Sequence, residues 1–266
     1  MTTIHLQEGK KIYFASDFHL GYPDHETSLM RERRIIAWLN KIQADAQMIF
    51  LMGDVFDFWF EYKNVIPKGF VRLQGKLAEL SDAGIEIIMF RGNHDLWIFD
   101  YFQYEMGIKV LREPTAYLIN TPNTESSKTF YLAHGDGLGP GDYSYKFLKR
   151  IFESKFCQWA FGWIHPQVGM TLAMAWSDSK KDEERLKREL QFRGDGEWLW
   201  AYSKEIEQQK HHDCYIFGHR HLRLDLKVGE SSRYVNLGQW CYDNEDSNHY
   251  AIYDGQSLDI VKFIQD

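Results

Sequence analysis

The sequence predicts a layered α/β domain, and three observations lead there. Short apolar runs rich in β-branched and aromatic residues recur along the 266 residues and alternate with stretches of helical periodicity. Five of these runs lead directly into a residue or cluster able to ligate a metal, as happens where the carboxyl ends of strands converge on a site. The interval of roughly 80 residues between His134 and His219 is too long for a structureless loop, so it is expected to form a helical insertion.

In chain order, the first strand is IYFAS at 12–16. A helix follows from about Glu26 to Ala44, where Leu29, Ile35, Ile36 and Leu39 recur at roughly helical spacing. MIFLM at 48–52 is the second strand, Phe70 to Ala83 the second helix before a stop at Gly84, and IEIIMF at 85–90 the third strand. NTPNTESSK at 120–128 has the composition of a polar hairpin loop leading into TFYLA at 129–133. CYIF at 214–217 is the fifth run, and strands around Tyr234–Leu237, Tyr250–Tyr253 and Leu258–Ile264 close the chain.

Composition narrows the function classes. Hydrophobic residues make up 44% and charged residues 26%, as in an ordinary globular protein. A formal net charge of −7 argues against a nucleic-acid partner, whose phosphates call for a basic surface. Cys157, Cys214 and Cys241 are too far apart for a paired zinc or redox motif and are expected as core residues in a reducing cytoplasm. The N-terminus lacks the pattern of a secretory signal. No apolar stretch reaches bilayer-spanning length, so no transmembrane segment is expected.

The strand ends read Asp17-Phe18-His19, Gly53-Asp54-Val55-Phe56-Asp57, Gly92-Asn93-His94-Asp95, His134-Gly135-Asp136 and Gly218-His219-Arg220-His221. Each fragment is weak alone, since a strand-end Asp commonly caps a turn. Together they use five of the eleven histidines, in order, each after a strand. Asp17, His19, Asp54, Asn93, His134, His219 and His221 form a mixed nitrogen and oxygen donor set without thiolate, which suits Mn²⁺, Fe or Zn²⁺. Seven donors exceed the four of one tetrahedral ion, but two divalent ions sharing a carboxylate would use them all. Such a pair points to hydrolysis of a phosphoester or phosphoanhydride.

These five motifs closely resemble those of the calcineurin-like metallophosphoesterase family. The resemblance implies a four-layer α/β/β/α sandwich with a helical lid insertion. By position, Asp17, His19, Asp54 and His221 would hold one metal, and Asp54, Asn93, His134 and His219 the other, with Asp54 as bridge. His94 would be the catalytic histidine that is not a ligand, Asp95 its orienting partner, and Asp57 a support for a ligand. GDVFDFW, GNHDLW and AHGDGLGPGDYSYKFLKRIF are most similar to the branch that hydrolyses UDP-2,3-diacylglucosamine in lipid A biosynthesis. That branch implies a UDP-linked acylated sugar as substrate, UMP and the acylated sugar 1-phosphate as products, Mn²⁺ as metal, and a cytoplasmic protein peripherally associated with the inner membrane. Its best-known members carry Arg where this chain has His94, which leaves open a divergent subgroup or another nucleotide or phosphodiester substrate. A non-catalytic binding scaffold is a further alternative, against which the complete ligand set counts.

The core is expected over 1–137 and 211–266 and the insertion over 138–210. Between Tyr143 and Trp176 nine of 34 residues are aromatic, and Leu148, Phe152, Phe156, Trp159 and Trp163 fall on one helical face opposite Lys146 and Arg150. Such a face suits a lipid interface or acyl pocket, and equally ordinary packing. SDSKKDEERLKREL at 177–190 reads as a charge-laced helix whose Lys180, Lys181, Arg185 and Lys187 are solvated or reach a nucleotide diphosphate. Trp198 and Trp200 are expected to pack the lid, and His5, His25, His165, His211, His212 and His249 to be ordinary surface or core residues. No substrate-binding residue is singled out.

Overall fold

Alternation along the central strands explains the architecture. In β2 (Lys11–Ala15) Ile12 and Phe14 turn to one face and Tyr13 and Ala15 to the other, and all four are buried. A strand buried on both faces must lie between two layers. The same division holds in β3 (Ala46–Leu51) and β4 (Glu86–Phe90). The computed structural model describes residues 1–122, 127–141, 143–179, 190–244 and 247–265.

Two six-stranded sheets result. One runs β1 (Thr2–His5), β6 (Thr115–Asn120), β7 (Ser127–Ala133), β8 (Cys214–Phe217), β10 (Ser232–Leu237) and β9 (Arg223–Val228). The other runs β12 (Leu258–Lys262), β11 (His249–Tyr253), β2, β3, β4 and β5 (Lys109–Leu111). Within these, β2 through β5 are parallel neighbours, as are β7, β8 and β10. Phe14 stacks on Phe50 at 5.1 Å within an inter-sheet core that also takes Phe130, Ile216 and Val235 from the facing sheet.

Three helices cover the outer face of the second sheet: α1 (His25–Ile42), α2 (Val71–Asp82) and α3 (Tyr101–Met106). α1 starts where the Asp24 carboxylate accepts from the Thr27 N–H at 2.9 Å, and its Ile35, Trp38, Leu39 and Ile42 face the sheet. The insertion supplies α4 (Tyr143–Glu153), α5 (Lys155–Gly162) and α6 (Pro166–Ser179). α7 (Trp198–Gln209) covers the outer face of the first sheet, with Leu199 buried among Tyr215, Phe217 and Tyr234. The layers are therefore helix, sheet, sheet, helix.

The insertion departs from expectation in three ways. The apolar face predicted from Leu148 to Trp163 is split, because the chain breaks at Ser154, whose hydroxyl accepts from the Cys157 N–H and starts α5. Phe152 and Phe161 consequently turn inward onto Trp97, at 5.6 and 4.7 Å, while Phe156, Trp159 and Trp163 are exposed. Among the described residues Trp198 and Trp200 pack against the apolar cluster on the outer face of the first sheet. Trp200 donates to the Lys227 carbonyl of β9 at 2.8 Å, and α7 belongs to the sheet layer although it lies inside the predicted 138–210 interval. Of the described helices in that interval, α4 to α6 lie outside this layer. The basic segment with Lys180, Lys181, Arg185 and Lys187 lies outside the described residues.

Candidate metal centre

The five motifs sit at the carboxyl ends of β2, β3, β4, β7 and β8, and backbone hydrogen bonds draw these ends together. Asp17 N–H donates to the Gly53 carbonyl at 3.1 Å, and Gly218 N–H to the His134 carbonyl at 3.0 Å. The two sheets are joined at this edge by the His134 Nδ1 contact with the Met52 carbonyl at 2.8 Å. Among the described residues seven without a glycine's freedom have positive φ, and five of them are Asp17, His19, Asp54, His219 and His221. Such backbone costs about 1–3 kcal/mol per residue and persists only where surroundings enforce it. Here the His219 N–H donates to the Asp17 carboxylate at 3.0 Å and the His94 N–H to Asp54 at 2.8 Å.

Two of the donor groups among the described residues share Asp54. Asp17, His19, Asp54 and His221 make one and Asp54, His134 and His219 the other, each with ligand atoms within 4.8 Å of one another. Asn93 joins the second group, its Oδ1 lying 3.4 Å from His134 Nε2. His221 Nε2 is 3.2 Å from Asp17 Oδ1, and His134 Nε2 is 3.3 Å from Asp54 Oδ2. His19 Nε2 is 3.6 Å from Asp54 Oδ2 and only 3.0 Å from His221 Nε2. All seven predicted ligands are thus brought together.

Burial and mutual proximity shape the electrostatics. Burial opposes ionisation of Asp17 and Asp54, yet hydrogen bonds from His19 and His221 hold Asp17 low, and the charge of His134 and His94 holds Asp54 low. Burial also opposes charging His19 and His134, but Asp17 raises the first to about 9 and Asp54 the second to about 10. Burial pushes His219 down to about 4, and neighbouring His134 adds to this. His94 is lowered by burial.

The donor chemistry fits divalent ions. Two imidazole nitrogens 3.0 Å apart and facing two carboxylates can be satisfied only by something positive between them, a proton or a cation. The His134 Nδ1–H is committed to the Met52 carbonyl, which leaves Nε2 as the ligating lone pair. Space is reserved as well. A Cβ on Gly92 would collide with the Asp54 carboxylate, and one on Gly218 with Ser16 Oγ and the Asp17 carboxylate.

The structure corrects the role expected for Asp95. Its carboxylate accepts from the Gly92 N–H at 2.7 Å and the Val55 N–H at 2.8 Å, and it does not reach the His94 ring. Burial and the nearby Asp54 raise Asp95 to about 7. His94 is oriented instead by Asp57, whose backbone carbonyl lies 3.0 Å from Nδ1 and whose carboxylate lies 3.5 Å from it. The same carboxylate stands 3.3 Å from His19 Nδ1, where a ligand's support is expected.

Several supports escaped sequence reasoning. Buried Arg31 donates to the His19 carbonyl at 2.7 Å and to the Cys241 carbonyl at 2.8 Å, fixing two distant loops. The only signal was a cation on the apolar face of α1, four residues before Ile35. Arg220, between two ligands, forms a bidentate pair with Glu197 at 2.9 and 2.8 Å and lies 5.1 Å from the Trp198 ring. Asp136 accepts from Tyr145 Oη at 2.7 Å and pairs with Lys149 at 2.8 Å, tying α4 to the His134 loop.

A model of the calcineurin-like phosphoesterase family matches residues 10–223. A relative from Porphyromonas gingivalis named UDP-2,3-diacylglucosamine hydrolase is 38% identical over 93% of this chain and 95% of its own length. One of the same name from Haemophilus influenzae is 26% identical over 87% of this chain and 91% of its own. Among solved structures, an archaeal phosphodiesterase aligns with a TM-score of 0.44 and 15% identity over 94% of this chain and 98% of its own. With its family model spanning all five strand-end motifs and a relative that covers nearly the whole chain, the protein belongs to the calcineurin-like phosphoesterase family.

Proposed function

We propose that the chain hydrolyses the pyrophosphate bond of UDP-2,3-diacylglucosamine to UMP and 2,3-diacylglucosamine 1-phosphate. The observation that carries the chemistry is Asp54, shared by two buried donor groups. The substrate rests on the name and near full-length match of the Porphyromonas gingivalis relative. Asp17, His19, Asp54 and His221 would hold one ion and Asp54, Asn93, His134 and His219 the other, with Mn²⁺ the first choice over Fe or Zn²⁺. When bound, such ions supply a nucleophilic hydroxide at neutral pH and neutralise phosphoryl charge.

The protein's own contribution centres on His94, which stands outside the two groups that share Asp54, falls in a separate one with His19 and Asp57, and has its ring 4.7 Å from that of His19. Because Nδ1 faces the Asp57 carbonyl it must carry a proton, so the neutral ring presents Nε2 as an acceptor. His94 becomes a donor to a phosphoryl oxygen only as imidazolium, a form favoured by an incoming diphosphate. The lid supports an acylated substrate. Phe147, Phe156, Trp159, Trp163 and Leu172 are exposed, as are Arg150 and Lys155 of the same insertion. Among the described residues no helix is long and apolar enough to cross a membrane, and such a face suits peripheral contact with the cytoplasmic side of the inner membrane.

The test is hydrolysis of UDP-2,3-diacylglucosamine with Mn²⁺ in detergent micelles, beside UDP-glucose and bis-p-nitrophenyl phosphate. Strong preference for the diacylated compound is expected. Equal or faster turnover of the soluble compounds would discard the lipid substrate and keep the phosphoesterase chemistry.

A further inference from the structure

We infer that Cys241, together with His19 and His221, forms a thiol-containing ligand set at the edge of the metal centre that captures soft divalent ions such as Zn²⁺. The inference rests on the metal-centre reading above. The sulfur of Cys241 and one nitrogen from each histidine lie within 4.8 Å of one another, and Cys241 is 8% exposed. Donors around a tetrahedral zinc, with Zn–S near 2.3 Å and Zn–N near 2.0 Å, stand roughly 3.5 Å apart. Closing this set on an ion therefore takes movements on the order of an ångström.

The backbone that carries Cys241 is held from two sides. Trp240 N–H donates to the Asp17 carbonyl at 3.0 Å, anchoring the segment after β10 to the first motif. The Arg31 guanidinium bonds the carbonyls of both Cys241 and His19, so the two donors are positioned by one buried side chain. The other cysteines lack such company: neither Cys157, in the lid, nor Cys214, in the inter-sheet core, takes part in a donor group among the described residues.

Chemistry separates the two sets that share His19 and His221. Carboxylate and imidazole donors serve Mn²⁺ or Mg²⁺ adequately, while a thiolate shifts preference towards Zn²⁺, Cd²⁺ and Co²⁺. On coordination the Cys241 thiol gives its proton to the buffer and the thiolate sulfur binds the ion. Neither Asp17 nor Asp54 belongs to this set, so these three residues would hold an ion without using the shared carboxylate. Zinc bound in this way competes with the productive ion.

Cobalt titration of the metal-free full-length protein tests this, with Co²⁺ alone as the probe. A near-ultraviolet sulfur-to-cobalt charge-transfer band is expected in the wild type beside the visible ligand-field bands, and Cys241→Ser should abolish the first while leaving the second. Cys241→Ala serves equally if serine is not tolerated at this buried position. Zn²⁺ affinity should fall by about tenfold or more in the variant, with Mn²⁺ affinity little changed. Visible bands without the charge-transfer band would overturn the thiol set and spare the metal centre. A band that survives Cys241→Ser would assign the sulfur elsewhere and overturn it too. Absence of all cobalt bands would overturn the metal centre itself, and this set with it.

Discussion

Replacing Glu197 should weaken the fold and the metal centre together, although Glu197 ligates nothing. Its side chain is fully buried and that of Arg220 is 1% exposed. Two charge-assisted bonds of 2.9 and 2.8 Å join them, and the Arg193 N–H adds a third to the same carboxylate. Glu197→Ala takes from the buried guanidinium the carboxylate that pairs with it twice and leaves the Gln191 carbonyl among its neighbours. Breaking a buried pair from one side costs about 3–5 kcal/mol. At an urea slope near 2.5–3 kcal/mol per molar, the unfolding midpoint should drop by about 1–2 M. Because Arg220 lies between His219 and His221, any movement it makes displaces both ligands, and metal affinity should fall by about 10–100-fold. Urea unfolding of the metal-free protein and Mn²⁺ titration calorimetry read the two effects separately. A midpoint within a few tenths of a molar of wild type, with unchanged affinity, would refute the reasoning, since Arg220 would then not depend on this partner.

Three further outcomes are expected. His94→Ala should lower turnover by about 10²–10⁴-fold while leaving about two ions per chain by elemental analysis, and loss of metal instead would make His94 a ligand. Asp95→Ala should cost about 2–4 kcal/mol of stability, because the buried N–H groups of Gly92 and Val55 lose their acceptor, and urea unfolding checks this. Burial alone would raise Glu207, but hydrogen bonds from His211 and Tyr215 hold it near 2 against an ordinary 4.5. A carboxylate lowered in the folded state stabilises fully above its unfolded value, and that contribution fades as pH falls from about 4.5 towards 2. Glu207→Gln should therefore be less stable than wild type by about 2 kcal/mol at pH 7, after allowance for solvent screening, and the gap should narrow at pH 3.

The fold was legible where burial leaves no choice. β2, β3, β4, β7 and β8 are nearly continuous apolar runs, and the structure bounds each within a few residues of its sequence reading. β1, β5, β6 and β9 were not read as strands. β1 lies at a sheet edge, β5 has three residues, β6 buries only Tyr117 and Ile119, and β9 alternates with charged positions in RLDLKV. α3, with six residues, is too short for a helical period to show. Periodicity indicated layers, but the count of four came from the family resemblance, because single-strand patterns do not say which faces meet. Ser154 shows the same limit from the other side: one small residue that caps α5 divided a face that read as continuous.

The candidate metal centre was legible for a different reason. Ligation demands particular atoms, so Asp, Asn and His at strand ends declare themselves whatever their neighbours. What holds them does not, since Arg31 with Cys241 and Glu197 with Arg220 are tertiary pairs with no local signature. Adjacency even misled, assigning to Asp95 the orienting role whose geometry belongs to Asp57, 37 residues from His94. The five left-handed ligands make these hidden pairs necessary. Each stores about 1–3 kcal/mol of backbone strain that a flexible loop would release, so the ligand geometry exists only because buried contacts over-determine it. A change at a support must therefore register in metal affinity even when every ligand is intact, which is why Glu197 tests the site more sharply than another ligand deletion would.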